Sequence, residues 1–250
     1  MDRRLYQKGV IPLFRKNNMS RIYFIVTLLL CSFCASAQTT QEWRDSVKVL
    51  SALIEQNPKS LELRMRKAEC NIALGQWQYA LDEYTNVLEF YPTHLGALYF
   101  RGYVNAKMKR YNFARNDYEQ VLRYSPEHLG AMTGLIYVEI DDNHLQNAFD
   151  HANHLVELYP DSACVYAVRA QVEESRGMVE LAVDDYSMAI EKTAAAMPQG
   201  KFLNYNDDYV QYVIKRMQLY RKKGDSKSVV LADEDRQMLI SRGVASRFLR

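Results

Sequence analysis

His151 and His154 stand three residues apart in "FDHANHLVEL", a spacing that sets two imidazoles on one helix face, where they could share a metal with a nearby carboxylate. A metal site needs three or four converging ligands, and no ligand pair of matching type recurs elsewhere, so the pair reads as a solvated helix face. Cys70 and Cys164 are the only cysteines after residue 37. A thiol nucleophile needs a base beside it, and neither has a His within helical reach. Glu69, Asp141, Glu173 and Glu174 read as solvated or salt-bridged side chains. The ten glycines are scattered and form no phosphate-cradling loop. His94 and His128 each come two residues after a proline and repeat one another, which argues against a unique active site. The sequence therefore predicts no catalytic residue, no cofactor and no metal.

The elements that would position any site are legible from the near-copies "YPTHLGALYFRG" (91–102) and "SPEHLGAMTGL" (125–135). Pro58, Pro92, Pro126 and Pro160 lie 34 residues apart, and such a period marks a repeat architecture. Five, eight, twelve and fifteen residues before each proline come Leu53, Leu50, Ser46 and Trp43; then Val87, Tyr84, Ala80 and Trp77; and so on through the next two units. Steps of three and four place them on one helix face, and the proline ends that helix. A second helical pattern precedes it in each unit, separated by breaks at 74–76, 108–110 and 142–144, with small residues at Ala68 and Gly102. One helix pair cannot bury both its faces, so the units must stack.

On these residues the chain resembles the tetratricopeptide repeat family, whose units are 34-residue helix-turn-helix pairs. The resemblance rests on Ala80/Tyr84, Ala114/Tyr118 and Ala182/Tyr186, on Ala68, Gly102 and the turn Gly75, and on the prolines in phase. It implies an all-α, right-handed superhelical solenoid with eleven helices and no strands. The units expected are a capping half-repeat at 38–58, full repeats at 59–92, 93–126 and 127–160, a degenerate fourth at 161–198, and a C-terminal cap or degenerate fifth at 199–250. In the fourth the closing place is Ala194, and Pro198 comes four residues late. Departures from the family pattern fall on the first helices, at Arg64, Lys67 and Asn71 and at Met132, Leu135 and Glu139.

The resemblance also implies a non-enzymatic scaffold whose first helices line a concave groove for a protein or peptide segment. The residues that would face it include Met65, Glu69, Tyr99, Tyr103, Lys107, Tyr137 and Asp141. Tyr99, Tyr103 and Tyr137 either form an aromatic recognition patch or fill the seam between helices. Glu62, Glu69, Asp141 and Glu174 against Lys107 would repel an acidic C-terminus, so the partner expected is neutral or basic with apolar side chains. The alternative is a self-associating structural subunit of a cell-envelope complex, acting through the basic segment "KRMQLYRKK" (215–223).

Residues 19–37 have another character. Arg21 precedes the twelve-residue apolar run "IYFIVTLLLCSF", and Ala35-Ser36-Ala37 follows it, the order of a secretory signal cleaved after Ala37. The run is short for a membrane span, so membrane attachment is expected only if this segment is kept. Met19 starts the signal well and is the expected first residue. The expected location is a bacterial periplasm or cell surface. Residues 38–200 carry 15 basic and 23 acidic side chains, and this acidic body excludes the basic stripe of a nucleic-acid surface.

Overall fold

Four helices, Leu61–Ala73 (α2), Leu95–Lys107 (α4), Leu129–Asp141 (α6) and Ala163–Ser175 (α8), begin 34 residues apart. Between them run Trp77–Phe90 (α3), Tyr111–Tyr124 (α5) and Leu145–Leu158 (α7), each ending just before a 34-spaced proline. The computed structural model describes residues 39–198, 200 and 203–249, and among these there are eleven α-helices and no strand. A helix over 39–56 (α1) comes first; Val179–Ala196 (α9), Asp208–Lys223 (α10) and Ser226–Ser241 (α11) complete the set. The apolar run at 22–33 and the expected cleavage point lie outside the described residues. Among those described, no helix is long and apolar enough to cross a membrane.

Each pair turns on one residue in the left-handed region, and these too are 34 apart: Gly75, Lys109, Asn143 and Gly177. The next amide reaches back to a carbonyl five residues earlier, as in Gln76 to Asn71 and Arg110 to Asn105, both at 2.8 Å, which closes the first helix. The second helix stops where its proline cannot continue it. α9 has Ala194 at that place and runs on to Ala196, a full turn longer than α3, α5 and α7.

His94 and His128 are N-caps. In each, Nδ1 accepts the backbone N–H three residues on, from Ala97 and Ala131, both at 3.0 Å. Ser60 does the same for Leu63. The repeated Pro-x-His motif is therefore a joint that stops one helix and starts the next.

Consecutive helices pack against one another, and α4, α6 and α8 also touch across the stack. Tyr118 shows how close the approach is. Its ring lies between Gly102 of its own first helix and Gly134 of the next, where a methyl group would come within 3.0 Å and 2.6 Å of it. Tyr84 is enclosed likewise and stacks on Phe100, with centroids 5.9 Å apart. Burial raises the phenol pKa of Tyr84, Tyr118 and Tyr186.

The charged departures in the first helices are paired, whereas the amide nitrogen of Asn71 is buried with no hydrogen-bond partner among the described residues. Lys67 meets Glu83 at 2.8 Å, Arg101 meets Asp117 at 2.6 Å, and Arg169 meets Asp185 at 2.6 Å, always first helix to second. In the third unit the polarity is inverted. Leu135 takes the place of the base, and Glu139 on the first helix holds His151 on the second at 2.9 Å. The carboxylate raises the His151 pKa, against the opposing effect of burial. His154, one turn on, sits 3.6 Å from Glu157. Glu173 differs from its expectation as a solvated or salt-bridged residue. It is buried beside Asp185, and burial first, then that neighbouring charge, pushes its pKa up to about 7.

Candidate functional groove

Where α4, α6 and the start of α8 line up, a cavity of about 660 Å³ opens between them. Tyr99, Tyr103 and Lys107 come from α4, Tyr137 and Asp141 from α6, and Cys164 from α8. Periodicity explains the convergence. Residues three, four and seven apart share a helix face, and equivalent faces of 34-residue units point the same way. Tyr118 reaches up from α5 to form part of the floor. Gly130 and Gly134 also line the cavity, and there the rings of Tyr99 and Tyr118 lie directly against the backbone.

The three tyrosines are held differently. Tyr99 is half-buried, with its ring against His128 at 5.4 Å, Phe100 at 5.1 Å and Tyr118 at 5.9 Å. Gly130 permits this, since a methyl there would come within 3.1 Å of the ring. Tyr99 is thus chiefly a seam residue that also presents one edge. Tyr103 stands edge-on to Trp77 at 6.3 Å, and the Lys107 ammonium lies 5.3 Å from its ring centre. Tyr137 is the open one, 38% exposed, and its hydroxyl accepts a hydrogen bond from Gln171 Nε2 at 3.1 Å. Partial burial raises its pKa despite that bond.

Charge in the cavity is balanced: Lys107 and Asp141 are the charged side chains of the lining. Glu174 is engaged 3.7 Å from Lys215, and Glu62 lies 4.0 Å from Arg66. Met65 and Glu69 are not part of this lining. Met65 packs with the core near Gly96, and Glu69 lines a separate cleft between α1 and α2. Cys164 is an exposed free thiol whose sulfur lies 3.1 Å from the Ser162 hydroxyl.

Sequence reasoning missed Tyr212 on α10. Its pKa is pushed up to about 12, first by burial and then by Asp208, Cys164 and Tyr137. The broken period after Ala194 hid it. The buried face of α10 runs through Tyr209, Val213 and Met217. Among the described residues no three His, Cys, Asp or Glu side chains gather as a metal-binding group. What the arrangement offers is a preorganised aromatic trough with one cation and one carboxylate at its rim.

The tetratricopeptide repeat family model matches residues 36–94. The chain is similar in structure to a tetratricopeptide repeat protein from Parabacteroides merdae, at 19% identity and a TM-score of 0.63, covering 85% of this chain and 78% of that one. It is similar to a thermophilic TPR protein of Thermus thermophilus, at 16% identity and a TM-score of 0.56, covering 74% and 92%. YrrB, a TPR protein with an unusual peptide-binding site, matches at 18% identity and a TM-score of 0.51, covering 79% and 93%. No curated protein matches the chain.

Proposed function

We propose that the chain is a tetratricopeptide repeat protein and a non-catalytic scaffold whose groove between α4, α6 and α8 binds a partner segment. The observation that carries the reading is the half-open aromatic wall, in which Tyr137 is exposed beside Tyr99 and Tyr103 over a cavity floored in part by Tyr118. Stacked helices hold this wall in place before binding, so little ordering entropy is lost on association. Tyrosine combines a large apolar ring with a hydroxyl at low entropic cost and suits a recognition surface. The partner segment is neutral or basic with apolar side chains that insert beside Tyr103 and Tyr137. A strongly acidic segment gains only Lys107 and meets Asp141.

Truncating a ring at the centre of such a surface typically costs about 1–3 kcal/mol of binding energy. Fluorescence anisotropy of labelled apolar peptides against Tyr103→Ala and Tyr137→Ala tests the assignment. Affinity unchanged in both variants, with helicity intact, refutes it.

The scaffold is exported into a bacterial periplasm or to the cell surface, on the support of Arg21, the apolar run 22–33 and Ala35-Ser36-Ala37. Sequencing the amino terminus of envelope-recovered protein checks this: a chain that begins at Met1 or Met19 refutes cleavage. Self-assembly through 215–223 has less support, because Lys215 and Arg216 already face Glu174 and Asp235. Light scattering distinguishes the two readings, a monomer favouring the scaffold.

A further inference from the structure

α1 is the second helix of a unit whose first helix does not appear among the described residues. Trp43, Ser46, Leu50 and Leu53 hold the places that Trp77, Ala80, Tyr84 and Val87 hold in α3. In α3 that face is sealed, with Ala80 and Tyr84 at 0% exposure and Val87 at 1%. In α1 Trp43 is 43% and Leu53 40% exposed. Tyr118, the counterpart of Leu50 two units on, is gripped by a glycine of its own first helix on one side and of the next on the other. Leu50 has the following helix, α2, but no first helix of its own among the described residues. On α2 itself, Arg66 and Glu69 stand where Phe100 and Tyr103 of α4 close the space against Tyr84 and Trp77. The result is a cleft of about 760 Å³ between α1 and α2, floored by Trp43, Leu50, Leu53 and Leu63.

Among the described residues the turn of the later units has no counterpart at α1. Residues 74–76 and 108–110 make the turn that returns a first helix onto its second, whereas the equivalent residues 40–42 are helical and continuous with α1. The charge of the rim says what fits. Glu42, Asp45 and Glu69 line it with Arg66, and Asp45 also meets Lys48 at 3.1 Å, so Glu42 and Glu69 carry the acidic excess. The helix that occupies the same place against α5 is α4, whose only charged side chains are Arg101 and Lys107.

We infer that the cleft between α1 and α2 docks an amphipathic helix with a basic flank, supplied by a separate protein, which completes the first unit of the stack. The occupant is a helix set against helices, so the site differs from the tyrosine trough and does not depend on the groove reading. Docking covers Trp43 and Leu53 with apolar side chains and sets basic groups beside Glu42 and Glu69.

The protein has two tryptophans, so a full-length Trp77→Phe variant leaves Trp43 as the single indole reporter. A synthetic peptide of residues 94–109, which carries α4, serves as the probe helix. The expected result is a saturable blue shift of Trp43 and protection from acrylamide quenching, weakened about tenfold or more by Leu53→Asp, since the docked helix then meets a charge in place of apolar surface. Val49→Lys, at a more exposed place on α1, weakens docking with less risk to folding, because it sets a cation where Asp117 receives Arg101 in the α4–α5 pair, and Tyr103→Ala in the groove leaves it unchanged. No response up to about 1 mM peptide, or a response that survives Leu53→Asp with helicity intact, overturns the inference. Trp43 already shielded without peptide also overturns it. Shielding that falls on dilution assigns the cleft to a second copy, and shielding independent of dilution assigns it to this chain's own upstream residues.

Discussion

Replacing Gly134 by alanine sets two effects of opposite sign against each other. In a helix interior the change from glycine is worth about 1 kcal/mol of added stability. The new methyl, however, would sit 2.6 Å from Tyr118 Cζ and 2.9 Å from both Cε atoms. The ring cannot retreat, because Gly102 closes its other side with the same lack of room and Tyr118 is only 3% exposed. Overpacking of this kind costs about 1–3 kcal/mol, and contact with three ring carbons inside 3.0 Å belongs in the upper half of that range. The net expectation is a loss of about 1–2 kcal/mol. Urea denaturation followed by far-ultraviolet circular dichroism measures it. Gly130→Ala is the control, since its methyl would meet the half-buried Tyr99 ring at 3.1–3.3 Å and that ring can swing into the groove. In a Tyr118→Leu background the sign should reverse, with Gly134→Ala stabilising by about 1 kcal/mol and a coupling of about 2–3 kcal/mol between the two sites. If Gly134→Ala matches the parent in stability, or costs the same in both backgrounds, the ring is not the stop between units.

Glu173 binds its proton more tightly folded than unfolded, so stability is lost as pH rises from about 4.5, the unfolded value, to about 7. Glu173→Gln should be more stable than the parent at pH 8, by on the order of 1–3 kcal/mol, and equal to it at pH 4, as urea melts at the two values would show. His151 has its pKa raised above 6.5 by Glu139, so its contribution is complete below that value and fades as pH climbs through the folded pKa. His151→Gln should therefore cost more stability at pH 6 than at pH 9 by the same measurement. Lys109 carries a side chain at φ 59, and Lys109→Gly should raise the thermal midpoint, worth about 0.5–1 kcal/mol after the unfolded-state entropy of glycine is deducted.

The helix order was readable from four prolines and an Ala-Tyr spacing because both act locally: one stops a helix, the other sets which face is buried. The groove tyrosines were readable in position but not in posture. Tyr99 and Tyr137 occupy equivalent stripes, yet only packing against His128 turns the first into the seam and leaves the second open. Lys109 and Asn143 concealed the turn geometry that Gly75 announced, because nothing in a lysine advertises a left-handed backbone. Lys67 and Glu139 looked like flaws in a hydrophobic pattern. Their partners sit sixteen and twelve residues away on another helix, beyond the reach of any single-helix periodicity. Tyr212 was hidden for a related reason, since α9 overruns by a turn and carries α10 out of phase.

A chain built from near-copies risks pairing the wrong copies as it folds, because each first helix offers much the same apolar face to every second helix. The inverted pair in the third unit acts as an address. If α6 took the place of α4 against α5, Glu139 would lie beside Asp117; if α4 took the place of α6 against α7, Arg101 would lie beside His151. The first mistake sets two carboxylates together and the second sets two cations together once His151 is protonated, whereas each correct match joins opposites. The most irregular rung of the ladder thus tells the middle of the stack from its neighbours and fixes the order of assembly.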